Sequence, residues 1–394
     1  MKLLFLTSRF PYPTNKGDKL RAYYQIKEIS KQNEIHLVSL TDVHIKKNEV
    51  EHLEKYCKSI TILYLPLWRR LLNLTRAFFN NKPFQVNYFY TYSFQNKINK
   101  LIEEIKPNHI FCQLIRTALY MKDQHHIPST LDYMDALSKG IERRIPITPF
   151  WMKPILNVEF TRLKNFENLA YEFFNHHTII SSVDRNDIFH EKNQTIQVVQ
   201  NGIDTAYYNS KDVEIKYDLV FIGNLSYPPN MHAATFIAHE ILPSILTEFP
   251  EIKILIAGSN PTSKVLKLQN QHIDVKGWFN DIRDAYCSGK IFFAPMAIGT
   301  GLQNKLLEAM SLGIPSITSA HANRSLHALH MQNIFIGNDV KDYINHITEL
   351  LKNKDLRHQI GKEGRLFVEK NYNWNRANEK LYSLFKSKQG DKQK

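Results

Sequence analysis

Only three cysteines, Cys57, Cys112 and Cys287, occur in 394 residues. They are far apart and odd in number, which excludes a disulfide-stapled scaffold and a cysteine-based zinc site and suits a reducing, cytoplasmic setting. No stretch reaches the 18 or more apolar residues that a membrane-spanning helix needs. The opening Lys2-Leu3-Leu4-Phe5-Leu6 is apolar but short, and Thr7-Ser8-Arg9-Phe10-Pro11 follows it without a small-residue cleavage pattern. A first buried strand is expected there instead of a signal peptide. No Asp-x-Asp pair lies beside a strand end, so no divalent-metal site is expected. The histidines do not supply one either. Pairs such as His125-His126 point in different directions on any regular element, and no carboxylate stands at ligand spacing from them.

What is present is globular composition, with 43% hydrophobic and 23% charged residues, in a chain too long for one ordinary core. The net charge of +13 is uneven, with 28 basic and 19 acidic side chains over residues 1–200 against 23 and 19 in the rest. Such an excess calls for a polyanionic partner: nucleic acid, an acidic membrane surface or a phosphorylated substrate. Charge alone does not choose among them.

Short apolar runs alternate with helical periodicity along the whole chain. Strands are predicted at Lys2–Leu6, Ile35–Ser39, Ser59–Leu63, His109–Cys112, Ser129–Asp132 and His177–Ser181. A second series runs through Tyr217–Ile222, Lys253–Gly258, Ile273–Lys276, Ile291–Ala294 and Pro315–Thr318. Helices are predicted over Asp18–Ser30, Tyr92–Ile105, His232–Thr247, Leu302–Leu312 and Val340–Lys352. Strands apolar over their whole length, separated by helices, mean parallel sheets covered on both faces. The fold class is therefore α/β, with two doubly wound, Rossmann-like domains facing across a cleft. The expected boundaries are 1–200 for a first domain and 201–372 for a second. Residues 373–394 form a C-terminal helix and tail with the first domain to pack against, frayed from Lys386 onward.

The most informative stretch runs from Ala294 to Pro315. A strand ends in Gly299-Thr300-Gly301, a helix begins near Leu302, and Gly313 and Pro315 close it. Free backbone N–H groups at a helix start form an anion site. Lys305 falls in the first turn, and Glu308 lies three residues on, able to accept both hydroxyl protons of a ribose diol. The same pair read as an ordinary ion pair would be worth a few tenths of a kcal/mol.

These motifs resemble GT-B glycosyltransferases of the large retaining family 4. The sequence is more similar still to the sugar transferases associated with exosortase and exopolysaccharide loci. The likeness rests on Pro11 to Arg21, on Phe221 to Asn230 with Gly223, Asn224 and Asn230, and on Gly301-Leu302-Gln303-Asn304-Lys305-Leu306-Leu307-Glu308-Ala309-Met310. The resemblance implies a retaining enzyme that moves a sugar from a nucleotide-diphosphate donor to a glycan or lipid-linked acceptor in surface polysaccharide synthesis. The donor is a substrate, and no further cofactor is implied. Glu308 matches the ribose-binding second glutamate of a Glu-x7-Glu pattern. Gly301 and Leu302 match backbone at the diphosphate, with Gly299, Thr300 and Asn304 beside them, and Lys305 would offset its charge. Gly17 matches a glycine that lets backbone approach the donor phosphate, and Trp278 lies in a segment whose backbone meets the nucleobase. Two departures stand out: Thr300 occupies the first-glutamate position, and no basic residue follows the strand ending at Ile222. Asp132 and Asp135 lie in a stretch resembling a subgroup motif and are expected on the acceptor side, Asp135 as a catalytic candidate. Loop caps before a helix are the alternative.

Residues 64–92 hold nine aromatic residues and four basic ones without an acid. Trp68, Leu71, Leu72, Thr75 and Phe79 recur at helical spacing, flanked by Arg69 and Arg76. Two outcomes stand: a helix lying in a membrane interface at the cytoplasmic face, or a helix packed on its own domain. A non-catalytic nucleotide-sugar-binding partner of another transferase is the alternative function, suggested by the absent first glutamate. Nucleic-acid binding rests only on charge and is not expected.

Overall fold

The computed structural model describes residues 1–146, 148–298 and 302–386. They form two compact units, Met1–Asn201 with the segment from Trp374 onward, and Gly202–Asn373.

The first unit is built on seven parallel strands, β1 (Lys2–Thr7), β2 (Glu34–Thr41), β3 (Ser59–Tyr64), β4 (His109–Gln113), β5 (Ser129–Asp132), β6 (His176–Ile179) and β7 (Gln197–Val198). Their order is β3-β2-β1-β4-β5-β6-β7, so the winding reverses between β1 and β4. In β1, Leu3 and Phe5 pack with Ile35, Leu37 and Phe111, whereas Leu4 and Leu6 pack with Val38, Ile110 and Cys112 on the opposite face. That two-sided burial is why the strand is apolar throughout instead of alternating. Helices Gly17–Ile29 and Trp374–Lys386 cover one face through Ile26, Ile29, Leu381 and Phe385. Helices Tyr92–Ile105 and Lys153–Tyr171 cover the other through Ile98, Ile102, Leu163 and Phe166.

The second unit has six parallel strands, β8 (Tyr217–Ile222), β9 (Ile254–Ala257), β10 (Ile273–Lys276), β11 (Gly289–Ala294), β12 (Ser316–Ser319) and β13 (Phe335–Gly337). The order β10-β9-β8-β11-β12-β13 places the reversal between β8 and β11. Loops leaving neighbouring strands in opposite directions open a crevice at such a point, which is where doubly wound sheets bind ligands.

The single helix predicted over His232–Thr247 begins earlier and is not uniform. Pro228 and Pro229 occupy its first positions, where a missing N–H costs nothing. A wider turn at Ile237–Ile241 then leads into Leu242–Ile245. Strands β7 and β13, two and three residues long, carry too little periodicity to be read from sequence.

Candidate active site

The helix after β11 spans Asn304–Ser311, two residues later than predicted at its start. Gln303, in extended conformation, precedes it, and Leu302 packs against the core of the unit. Gly299, Thr300 and Gly301 lie outside the described residues. Leu306, Leu307, Ala309 and Met310 are buried, which fixes the helix by its apolar side and leaves Lys305 and Glu308 half-buried along the other.

Lys305 and Glu308 are each engaged elsewhere instead of forming the simple ion pair. Lys305 Nζ donates to Asn230 Oδ1 and stands 5.1 Å from the centre of the Phe221 ring, with Met296 Sδ at 3.6 Å. The ammonium therefore sits at the carboxyl ends of both β8 and β11, the pair that flanks the crevice. Burial lowers its pKa to about 8, with Glu308 opposing the shift. Glu308 Oε2 accepts a hydrogen bond of 2.7 Å from the hydroxyl of Tyr286, a residue buried in helix Ile282–Cys287. Burial raises the Glu308 pKa, while the hydroxyls of Tyr286 and Tyr208 and the charge of Lys305 oppose that rise. Nothing in the spacing of the sequence pointed to Tyr286, because a lone tyrosine on a helix carries no motif, and Phe221, which opens the Phe221 to Asn230 stretch, was not singled out as a ligand-binding residue.

Gly223, Asn224 and Asn230 act as scaffolding for this lysine. Gly223 donates its N–H to Ala257 O at 3.0 Å, and a Cβ there would lie 2.6 Å from the Asn230 amide nitrogen. Gly258, at φ +138°, presses against the Gly223 carbonyl, where a Cβ would come within 1.8 Å. The two glycines thus let the Asn230 helix approach. Asn230 Nδ2 donates to Asn224 O at 2.9 Å, which leaves Oδ1 aimed at Lys305. The Asn224 side chain is occupied in its own turn, accepting from Ser226 N and Oγ. Trp278, after β10, is 76% exposed. A cavity of about 440 Å³ is lined by Pro295 and Ala297 of the loop after β11 together with His232, Phe236 and Ser319, none of them singled out from the sequence as a ligand-binding residue.

Gly17 and Asp135 belong to the first unit. Gly17 opens helix Gly17–Ile29, and a Cβ added there would meet nothing within 4 Å. Asp135 follows β5 and Met134, which has a positive φ of 65°. By surface area the residue is exposed. Desolvation and then Asp184 raise its pKa to about 6, against the opposing charge of Arg116. Asp132 corrects the expectation that it lines the acceptor side. It is fully buried and pairs with Arg21, at 2.6 Å from Nε and 3.1 Å from Nη2, and accepts from Thr178 Oγ1 at 2.9 Å. Among the described residues no group of three or more His, Cys, Asp or Glu side chains could hold a metal ion.

Residues 216–353 match the family described as glycosyl transferases group 1. The match lies within the second unit, Gly202–Asn373. Over 94% of its length this chain is 23% identical to an uncharacterised 44.6 kDa protein in the cps region of Klebsiella pneumoniae, covering 96% of that protein. Among solved structures, TarM of S. aureus superposes with a TM-score of 0.69 at 12% identity, covering 98% of this chain and 99% of TarM. Anabaena HepE, solved with UDP-glucose, gives a TM-score of 0.64 at 12% identity, covering 97% of this chain and 98% of HepE. Seven and six parallel strands in two α/β domains, matched over nearly the full length of such structures, make this the GT-B fold.

Proposed function

We propose that the chain is a retaining glycosyltransferase of the family 4 type, nearest the exosortase- and exopolysaccharide-associated subgroup. It moves a sugar from a nucleotide-diphosphate donor to a glycan or lipid-linked acceptor. The observation that carries the reading is the Lys305 ammonium, held by Asn230 at the crevice between β8 and β11 within a group 1 glycosyltransferase domain.

As the glycosidic bond breaks, negative charge grows on the departing diphosphate, and a fixed cation stabilises that state more than the ground state. Lys305 is the candidate for this role. A half-buried ammonium with a lowered pKa is poorly compensated before the donor arrives, so a diphosphate gains more from it than from a solvated lysine. Glu308, fixed by Tyr286, keeps acceptor capacity for the ribose hydroxyls. In this reading Leu302 and Asn304, with Gly299 to Gly301, contribute backbone at the diphosphate. Gly17 leaves room for donor phosphate, and Trp278 lies by the nucleobase. Asp135, with a pKa near 6, is mostly ionised at neutral pH and able to receive or orient an acceptor hydroxyl. Retention and independence of divalent metal follow from the resemblance and from the basic character of the donor end.

The test is nucleotide release from a panel of UDP-, GDP- and ADP-sugars by the purified chain, with and without a chelator. Turnover that survives chelation and is lost in Glu308→Ala and Lys305→Ala supports the reading. Binding without release from any donor, with acceptor extract supplied, removes it. NMR of the product anomeric proton decides retention.

A further inference from the structure

Exposed large apolar side chains are concentrated in one part of the first unit. Helix Leu67–Phe78 buries Asn73 and Ala77 and turns the opposite side to solvent. Trp68, Leu71, Leu72 and Phe78 are 61, 56, 41 and 64% exposed, and Phe79 just beyond the helix is 89% exposed. The apolar row read from the sequence is therefore not packed on its own domain.

A second segment, not anticipated from the sequence, does the same. Phe150 and Trp151 are 83 and 64% exposed, and Ile155 and Val158 follow on the outer side of helix Lys153–Tyr171 at 48 and 43%. The two helices touch. Arg162 Nη1 donates to Ala77 O at 2.6 Å, and Glu159 accepts from the backbone N–H groups of Phe84 and Gln85. That last contact takes Glu159 out of solvent, where it is 5% exposed, and Asp42, near Arg70, is engaged by the Tyr88 hydroxyl at 2.8 Å.

The charge along the two sequence segments that carry these rows has one sign. From Lys55 to Ile102 the sequence contains no acidic residue and eight basic ones, and residues 143–158 repeat the pattern with Arg143, Arg144 and Lys153. Arg76 and Lys82 are exposed beside the first row.

We propose that these two helices form a docking face for an anionic lipid bilayer, with the aromatic and aliphatic rows entering the headgroup boundary and the flanking cations meeting acidic headgroups. The charge selects the occupant. A second copy of the same face would set like charges against each other, and nucleic acid would leave the leucine and phenylalanine rows without a partner. No described helix is long and apolar enough to cross a membrane, so the contact is an interfacial one. The inference is independent of the donor chemistry, because binding to lipid needs neither sugar nor acceptor.

The test is co-sedimentation of the full chain with phosphatidylcholine vesicles, with and without phosphatidylglycerol. Binding should rise roughly tenfold or more with the anionic lipid and fall as salt is added. Trp68→Ser/Phe79→Ser should abolish binding, and Arg76→Glu/Lys153→Glu should remove its dependence on phosphatidylglycerol, with unchanged circular dichroism. In the unmutated chain, vesicles of brominated lipid should quench tryptophan fluorescence, and Trp278→Phe should keep that quenching. Absence of quenching, equal affinity for neutral and anionic vesicles, or binding that survives Trp68→Ser/Phe79→Ser overturns the proposal. A dimer in light scattering that Trp68→Ser/Phe79→Ser dissociates also overturns it, by assigning the face to a second copy.

Discussion

A lysine whose pKa sits near 8 is a usable cation at neutral pH and a poor one a unit and a half higher. Affinity for a nucleotide diphosphate should therefore hold steady from pH 6 to 7 and weaken as pH rises through about 8, because the unliganded protein loses the proton the anion needs. Lys305→Arg, always charged, should show no such break, and titration calorimetry across pH separates the two. Truncation in Lys305→Ala should slow turnover by roughly 10²–10³. Asp135 gives the opposite limb: if it serves the acceptor, kcat/KM falls below about pH 6, and Asp135→Asn flattens that side of the profile. The two glycines of the motifs also part company. Gly223→Ala drives a methyl into Asn230 and should loosen Lys305, weakening nucleotide binding several-fold. Gly17→Ala meets only open space, so melting temperature should not move, and any loss of turnover reports the donor. At this scale the sequence was partly informative. Spacing put Lys305 and Glu308 on one helix and the resemblance named Asn230, but the contacts of Asn230, Phe221 and Tyr286 with them are tertiary packing that no local pattern records.

Elements were legible wherever burial on both faces made a strand mostly apolar, as in β1, β2 and β8. Legibility failed at β7 and β13, and at the start of the helix following β8, where the two prolines look like a loop but serve as first-turn residues. Asp132 shows the deeper difficulty. A carboxylate at a strand end reads the same whether it faces a ligand or a buried arginine 111 positions earlier. The structure decides for Arg21, whose Nη1 also donates to Val199 O and Asn201 Oδ1, each at 2.8 Å. One guanidinium thus ties helix Gly17–Ile29 to β5 and to the chain leaving the first unit. Removing one partner strands the other charge in a dry interior, so Arg21→Ala should cost about 3–5 kcal/mol, seen as a large fall in denaturation midpoint. Replacing both, as Arg21→Met/Asp132→Leu, should recover much of that loss, since no lone charge remains.

For the whole molecule, the chain leaves the first unit at Asn201, builds the second through Asn373, and returns with helix Trp374–Lys386. The returning helix is part of the first core. Trp374 stacks on Tyr24 at 5.2 Å, Phe385 lies 4.9 Å from His109 and 6.0 Å from Phe111, and the Tyr382 hydroxyl donates to Glu28 O. Burying Trp374, Leu381 and Phe385 contributes about 1.5–3 kcal/mol each, a sum comparable with the entire stability of an ordinary domain. A chain ending at Asn373 should therefore lose the cooperative melt of its first unit while the second keeps its own. Residues 1–201 alone should behave as an expanded, dye-binding state. The same residues joined by a flexible linker to 374–386 should regain a sharp thermal transition, because the linker replaces the second unit as the tether and leaves every contact of the returning helix available. A sharp melt of 1–201 without that helix would show that the first core closes unaided.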